Sequence, residues 1–379
     1  MLTDSLDSIT IQGFKSIASM QDLKLNPVNV VIGANGSGKS NFMAAFDFLR
    51  AISEGRLNEY VKVAGGSEKV LHFGSKVTSE INFHLSFESP VGHYDLTLSP
   101  TADDGLFPSS ESVFDGSEHH SSLVGWQEGK EAGISYMSPG RISPSSWSLL
   151  PLPSQAKRVW WKFRRWRPFH LDDTSSSSWM RKTGMVDDNR FLKSDGRNIA
   201  GFLYFLRKRN REQYDFIVNT VRQVAPFFDD FQLEPLQLNP DSIKLEWRHR
   251  RSDQYFDASS LSDGTLRFIV LATLFLQPVE LRPSIILVDE PELGLHPYAI
   301  EKLAALVRQA SVDTQVILST QSSLLLDYFE PEEILVADRV NGGTQLTRLQ
   351  SPQLKKWLED YSLGQLWEKN EIGGRPVPA

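Results

Sequence analysis

The chain has 379 residues, enough for two or three domains at about 150 residues each. It carries 40 Lys and Arg against 47 Asp and Glu, a formal net charge of −7, which excludes a globally basic nucleic-acid coat protein but leaves local basic patches open. There is no cysteine, so disulfide frameworks, thiolate zinc sites and cysteine nucleophiles are excluded together. The opening Met1-Leu2-Thr3-Asp4-Ser5 has neither a basic region nor a long apolar stretch, unlike a secretory signal. The longest apolar run, Phe268 to Leu276, falls far short of the roughly 20 residues that cross a bilayer. The expectation is a soluble, cytoplasmic protein with no membrane partner.

Taken in order, Ile9-Thr10-Ile11 reads as a short strand and Val28 to Ile32 as a buried one. A Gly-rich turn follows, and Asn41 to Ser53 then places apolar residues at helical spacing. Between Glu80 and Leu98 the alternation of Ile81, Phe83, Leu85 and Phe87 predicts an antiparallel meander. From Thr101 to Ser154 the composition shifts to Ser, Gly and Pro, which predicts an irregular insertion or long loops. Helices are predicted over Asn198 to Lys208 and Arg211 to Val224, the second ended by Pro226, with a strand at Ile243 to Trp247. The last third returns to α/β alternation. It has helices at Thr265 to Gln277 and Ala299 to Ala310, and strands at Ile285 to Val288, Val316 to Ser319 and Ile334 to Asp338. The expected fold class is α/β. Residues 1–100 form an N-terminal lobe, 101–197 an insertion, 198–254 a helical lobe with a strand, and 255–379 a C-terminal lobe.

Gly33-Ala34-Asn35-Gly36-Ser37-Gly38-Lys39-Ser40 matches the phosphate-loop pattern G-x-x-x-x-G-K-[ST] between an apolar strand and a helix, the context the motif requires. Its glycines let backbone N–H groups, from Asn35 to Asn41, turn towards a phosphate at a helix N-terminus. Lys39 is expected to reach the β- and γ-phosphates, and the Ser40 hydroxyl to ligate Mg²⁺. Ser284-Ile285-Ile286-Leu287-Val288-Asp289-Glu290 is an apolar strand ending in two carboxylates. Asp289 is expected at the Mg²⁺ shell, and Glu290 as the general base for an attacking water. Between these motifs, Leu261-Ser262-Asp263-Gly264-Thr265 opens a helix and offers a second anion cradle. The alternative there is an ordinary N-capping serine beside a turn glycine.

A phosphate loop, then Leu-Ser-x-Gly, then an apolar strand with Asp-Glu-Pro resembles the ABC-type ATPase heads. Within these the chain is most similar to the RecF/SMC/OLD-like predicted AAA ATPases. The resemblance is carried by Ile9 to Ile17 (ITIQGFKSI), Pro27 to Gly33, Asp289 to Pro297 (DEPELGLHP) and Ser319-Thr320-Gln321-Ser322, and it covers residues 9–50 and 255–340. The tail from Trp367 to Pro376 resembles a subfamily of stand-alone bacterial ATPases. The resemblance implies a P-loop NTPase head with a mixed sheet and an antiparallel β lobe. It also implies a head-to-tail homodimer around two ATP, with Ser262, Asp263 and Gly264 of one copy over the γ-phosphate held by the other, and the Gly294 loop between the sites.

Gln321 stands where many relatives carry a switch histidine, and an amide cannot be protonated near neutral pH, so slow ATP hydrolysis is expected. No glutamine occurs between Gln21 and Gln127, where ABC heads use one near Mg²⁺. Lys15 is either a phosphate contact, as basic residues there are in relatives, or an exposed strand-end lysine. Lys157 to Arg167 (KRVWWKFRRWR) is the densest basic–aromatic run, and it reads either as a double-stranded DNA contact or as an amphipathic element with core aromatics. No segment can form a long coiled coil, and about 40 residues follow the last motif, too few for an appended nuclease domain. The expectation is an ATPase whose dimerisation gates DNA binding or a separate nuclease-like effector, in DNA repair or anti-phage defence. The alternative is a nucleotide-sensing scaffold that holds a protein partner.

Overall fold

A computed structural model describes residues 5–88, 92–114, 120–122, 132–137 and 154–374. The chain opens with a hairpin of β1 (Leu6–Phe14) and β2 (Ile17–Lys24). Then β3 (Val28–Ile32), every residue buried, leads through the Gly-rich turn into α1 (Lys39–Ser53). Two short helices follow, α2 (Leu57–Ala64) and α3 (Ser67–Val70), before the meander β4 (Ile81–Phe87), β5 (Gly92–Pro100), β6 (Leu106–Phe114) and β7 (His120–Ser122). The middle of the chain supplies α4 (Ser154–Arg164), β8 (Trp166–His170), β9 (Gly184–Met185) and the helical pair α5 (Ile199–Arg209) and α6 (Arg211–Val224). Three short strands and a small pairing strand come next: β10 (Phe228–Gln232), β11 (Ser242–Ile243), β12 (Glu246–His249) and β13 (Tyr255–Asp257). The last third is α7 (Asp263–Leu276), β14 (Ile285–Asp289), α8 (Pro297–Ala310), β15 (Gln315–Thr320), β16 (Ile334–Val340) and β17 (Gly343–Arg348).

The central sheet has the order β17-β16-β3-β15-β14-β8, with all neighbours parallel except the antiparallel edge pair β16 and β17. Its inner strands β3, β15 and β14 are buried on both faces, as parallel sheets require. Alternate residues therefore enter two cores. Val30, Ile32, Ile286, Val288 and Leu318 pack with α7 and α8, while Val31, Leu287, Ile317 and Leu335 pack with α1 and the antiparallel sheet β2-β1-β4-β5-β6-β7. Helix α7 is buried at every residue from Leu266 to Leu276, because it lies between α6 and α8 as well as on the sheet. This is a P-loop NTPase fold of mixed α/β class.

One expectation for residues 101–197 is corrected. The stretch after Thr101 contributes β6, which pairs with β5 over its whole length. Its apolar alternation is hidden because a bulge near Ser109 shifts the register, and a buried carboxylate, Glu111, occupies the next inward position. Glu111 accepts hydrogen bonds from Tyr94 Oη (2.8 Å) and from the backbone N–H groups of Gly133 (2.6 Å) and Ile134 (3.1 Å). The rest of the predicted irregular stretch, residues 115–119, 123–131 and 138–153, lies outside the described residues.

The basic–aromatic run is a structural element of the main body. Its first half is α4 and its second begins β8, which pairs in parallel with β14. Trp160, Phe163 and Trp166 are fully buried in the core shared with α1. The cations are engaged too. Lys162 lies over Phe87, Arg164 over Trp160, and Arg167 over Phe191 at 3.4 Å. Arg165 donates to the Arg282 carbonyl at 2.6 Å, and burial pulls the Arg167 guanidinium down to about 9. The buried aromatics fit the amphipathic-core reading, while Arg158, Trp161 and Arg165 remain exposed. Trp160→Ala is expected to lower the unfolding free energy by about 3–5 kcal/mol in urea titrations. A loss below 1 kcal/mol would remove the run from the core.

Candidate functional site

Parallel pairing levels the C-terminal ends of β14, β15 and β3. Asp289 pairs with Ser319, Ser319 with Val31, and Thr320 with Ile32, so the residues that follow emerge along one edge of the sheet. Ligands of open α/β sheets bind at this edge. There a cleft of about 370 Å³ is lined by Asn35, Gly36, Gly38, Lys39, Ser40 and Asn41 from the loop, by Asp289 and Glu290 from β14, and by Gln321. Sequence motifs up to 286 residues apart thus meet at one place (321 − 35 = 286).

Within the loop, the Lys39 ammonium is buried and donates to the carbonyls of Gly33 (2.6 Å) and Ala34 (3.2 Å). Burial lowers its pKa, opposed by the facing carboxylates Glu290, Asp289 and Glu292. The Ser37 hydroxyl is buried without a hydrogen-bond partner, below the loop rather than in the cleft. A Cβ on Gly36 would meet nothing within 4 Å, so the space over the loop is open to a ligand. A Cβ on Gly38 would instead overlap the Thr344 side chain. Thr344, from β17, donates to the Ser37 carbonyl at 2.8 Å and shares a 2.7 Å hydrogen bond with Ser16, which accepts from Asn41 Nδ2 at 2.7 Å. This clip ties β17, the β1–β2 turn and α1 to the back of the loop.

At the opposite wall, Glu290 has a positive φ of 43°, rare for a non-glycine residue, while its N–H donates to the Ser319 carbonyl at 2.8 Å. The bend turns its carboxylate into the cleft, where it accepts from Gln321 Nε2 at 2.7 Å. Ser40 is exposed and Asp289 half-buried, so a hydroxyl and a carboxylate oxygen stand ready as hard ligands for a cation bridged by phosphates. An ammonium, a loop of N–H donors and these oxygens suit a triphosphate with Mg²⁺.

Ser262, Asp263 and Gly264 do not line this cleft. Ser262 Oγ caps α7 by accepting the Thr265 N–H at 3.2 Å, as its alternative reading stated, and Asp263 is exposed and paired with Arg181 at 2.7 Å. Gly264 is no turn glycine. It sits inside the helix, and a Cβ there would overlap the Gly294 carbonyl. Arg267 Nη1 donates to the carbonyl of Leu293, and Arg267 Nε to that of Leu171 at 3.0 Å, so the loop after Glu290 and the start of α7 form one rigid unit. Lys15 lines a neighbouring cleft that shares Asn41 and Arg339 with the first. Its ammonium lies 5.5 Å from the Phe14 ring, and burial lowers its pKa.

Three features escaped the sequence reading. Arg339, near the end of β16, lines both clefts and donates to the Gly36 carbonyl at 3.3 Å. No local pattern marks it, because its place beside the loop comes from the pairing of β16 with β3. Glu292 is buried against the base pair of carboxylates, with Oε1 accepting from Thr320 Oγ1 and Oε2 without a partner. Burial and the Glu290 charge push its carboxyl up to about 7. The tail also packs behind the loop. Gly374 donates to Asp338 Oδ1 at 2.9 Å, and a Cβ on it would lie 3.2 Å from the Gly33 Cα.

Residues 28–327 match the family described as "AAA domain, putative AbiEii toxin, Type IV TA system". The Old nuclease of Escherichia phage P2 is 23% identical over 95% of this chain and 64% of its own length. The chromosome partition protein Smc of Desulfitobacterium hafniense is 39% identical over 27% of this chain, which is 8% of that protein. The chain thus spans less than two thirds of the length of these relatives. Among solved structures, an Smc head bound to the C-winged helix domain of ScpA superposes with a TM-score of 0.57 and 14% identity, covering 93% of this chain and 99% of that one. A Pyrococcus furiosus Smc head with an extended coiled coil, bound to the C-terminal domain of ScpA, gives 0.56 at 13% identity over 94% and 99%. At these identities the likeness speaks for the fold. With the family match spanning most of the chain, the phosphate loop facing Asp289 and Glu290, and the head fold around them, the protein belongs to this AAA-domain family as an ABC-type ATPase head of the RecF/SMC/OLD-like group.

Proposed function

We propose that the protein binds ATP with Mg²⁺ in the cleft between Lys39 and Glu290 and hydrolyses it slowly, and that nucleotide state controls the pairing of two copies. The carrying observation is the 2.7 Å hydrogen bond from Gln321 to Glu290 in the cleft that also holds Lys39, Ser40 and Asp289. Lys39 leaves the loop carbonyls to meet the β- and γ-phosphates, where positive charge stabilises the transferring phosphoryl group. Mg²⁺, held by Ser40 and Asp289, supplies neutralisation of the phosphate charge when bound. Glu290 takes the proton of a water in line with the γ-phosphorus, and the products are ADP and inorganic phosphate. Gln321 fixes the Glu290 carboxylate through an amide that donates but cannot exchange a proton, which favours slow turnover.

Ser262, Asp263 and Gly264 stand apart from the cleft of their own chain, on a helix N-terminus that faces outward. We infer that they cover the γ-phosphate in a second copy, closing a head-to-tail dimer around two ATP. Closure and release then gate DNA binding or a separate nuclease-like effector in the cytoplasm, in DNA repair or anti-phage defence. Engagement of most cations in Lys157 to Arg167 shifts the weight from DNA at that run towards a protein partner.

Glu290→Gln is expected to cut turnover by at least about 100-fold and to accumulate an ATP-bound dimer on size-exclusion chromatography. A variant that stays monomeric with ATP and Mg²⁺ would sink the sandwich. Lys39→Ala should abolish ATP binding by calorimetry. If wild-type protein binds ATP but releases no phosphate above the Lys39→Ala background, the nucleotide-sensing scaffold is the better reading. Glu292 adds a pH dependence. Its carboxyl is raised from 4.5 to about 7, so the folded state favours the neutral acid. That contribution is intact below the unfolded value and lost as pH rises through the folded one. Glu292→Gln, which stays neutral, should therefore lose less Tm than wild type between about pH 5 and about pH 8. Parallel curves would refute the assignment.

A further inference from the structure

The loop that follows β8 leaves the sheet level with Asp289, because His170 pairs with that residue. It ends in a short 3₁₀ turn, Trp179–Arg181, whose Met180 side chain is buried in the core that holds α7. Arg181 is thereby placed against the turn that opens α7, with its side chain only 7% exposed. Its Nε donates to the Thr174 carbonyl at 2.9 Å, and its Nη1 to the carbonyls of Leu261 (3.1 Å) and Ala258. Nη2 donates to Asp263 Oδ1 at 2.7 Å. The guanidinium is thus fixed by backbone acceptors and aimed at one carboxylate. Arg267 also lies in the field of Asp263, but its donors are taken by the carbonyls of Leu293 and Leu171.

Asp263 is the first residue of α7, and its side chain is 62% exposed. A carboxylate there stabilises the helix, yet it cancels the partial positive charge that a phosphate would meet at the helix end. Facing a γ-phosphate, an unpaired Asp263 would repel it. Arg181 does not line the cleft of its own chain, so its charge acts only where Asp263 stands. We propose that Arg181 is a positioning residue of the shared site, the fixed counter-ion that lets the Ser262-Asp263-Gly264 surface receive the γ-phosphate of a second copy. The inference rests on the reading that this surface covers that phosphate. The backbone bonds of Arg181 hold the guanidinium in place, and its charge is what the shared site needs.

The test takes Glu290→Gln as the parent and measures its dimer dissociation constant with ATP and Mg²⁺ by analytical ultracentrifugation. Arg181→Gln is expected to weaken the dimer about tenfold or more, with ATP binding by calorimetry unchanged, because like charges across an interface are costly. Adding Asp263→Asn to Arg181→Gln removes the stranded carboxylate and should restore most of the lost affinity. A merely structural Arg181 would give no such rescue, since the bonds to Ala258 and Leu261 stay lost in the double variant. Arg181→Lys keeps the charge without the planar fork, and should dimerise close to the parent even if Arg181→Gln fails to fold. If Arg181→Gln dimerises like the parent, if the double variant stays as weak as Arg181→Gln, or if Arg181→Lys loses the dimer, the counter-ion role is refuted while the sandwich stands. If the parent itself stays monomeric, the sandwich falls, and this inference with it.

Discussion

Everything functional in this chain depends on one register. Because β14, β15 and β3 pair in parallel with Asp289, Ser319 and Val31 on one level, three unrelated loops leave the sheet at the same height. A slip of two residues along β15 would keep every apolar side chain on its proper face and yet carry Gln321 about 7 Å from Glu290. The register is secured from outside the strands. Gln315 Nε2 at the start of β15 donates to the Leu6 carbonyl at 2.8 Å while its Oε1 accepts the Leu6 N–H at 3.1 Å. A buried glutamine thereby ties the central sheet to the antiparallel one at the end opposite the cleft.

The site is also the place where the chain departs from relaxed geometry. Glu290 at positive φ, the partnerless Ser37 hydroxyl and the buried Glu292 carboxyl all lie within or next to the cleft. Costs of this kind are tolerated where two well-packed cores hold the backbone on either side. The Thr344–Ser16–Asn41 clip belongs to the same arrangement. It binds the loop to a strand and a hairpin, so that the glycines stay in the conformation that presents their N–H groups outward.

Much of this was legible from sequence, for physical reasons. Ile285 to Val288, and Val28 to Ile32 but for Asn29, announce themselves because strands buried on both faces need apolar runs. The loop is legible because its chemistry demands fixed residue types at fixed spacing. Strand β6 was hidden because a bulge and an inward glutamate break its alternation. The strand β8 was hidden by Arg167, whose guanidinium lies on the Phe191 ring rather than in water. Arg339 belongs to no fixed pattern, and Glu292 lies inside the Asp289 to Pro297 motif without a role that its residue type announces. Their placement comes from the order of strands in the sheet, which local sequence does not encode.

The contact between Gly264 and Gly294 carries a consequence for how this protein can drift in evolution. Two backbones 30 positions apart in sequence touch with no side chain between them (294 − 264 = 30). A methyl group at Gly264 meets a carbonyl of the other backbone, so no smaller residue on the far side can make room for it. The usual route of compensation, one residue growing as its neighbour shrinks, is closed here. Arg267 closes a second route, since its guanidinium spans to Leu293 and Leu171 and would have to be rebuilt if the helix moved away. The seam between α7 and the loop after Glu290 is therefore a fixed joint, around which the exposed faces of the same segments remain at liberty to diversify.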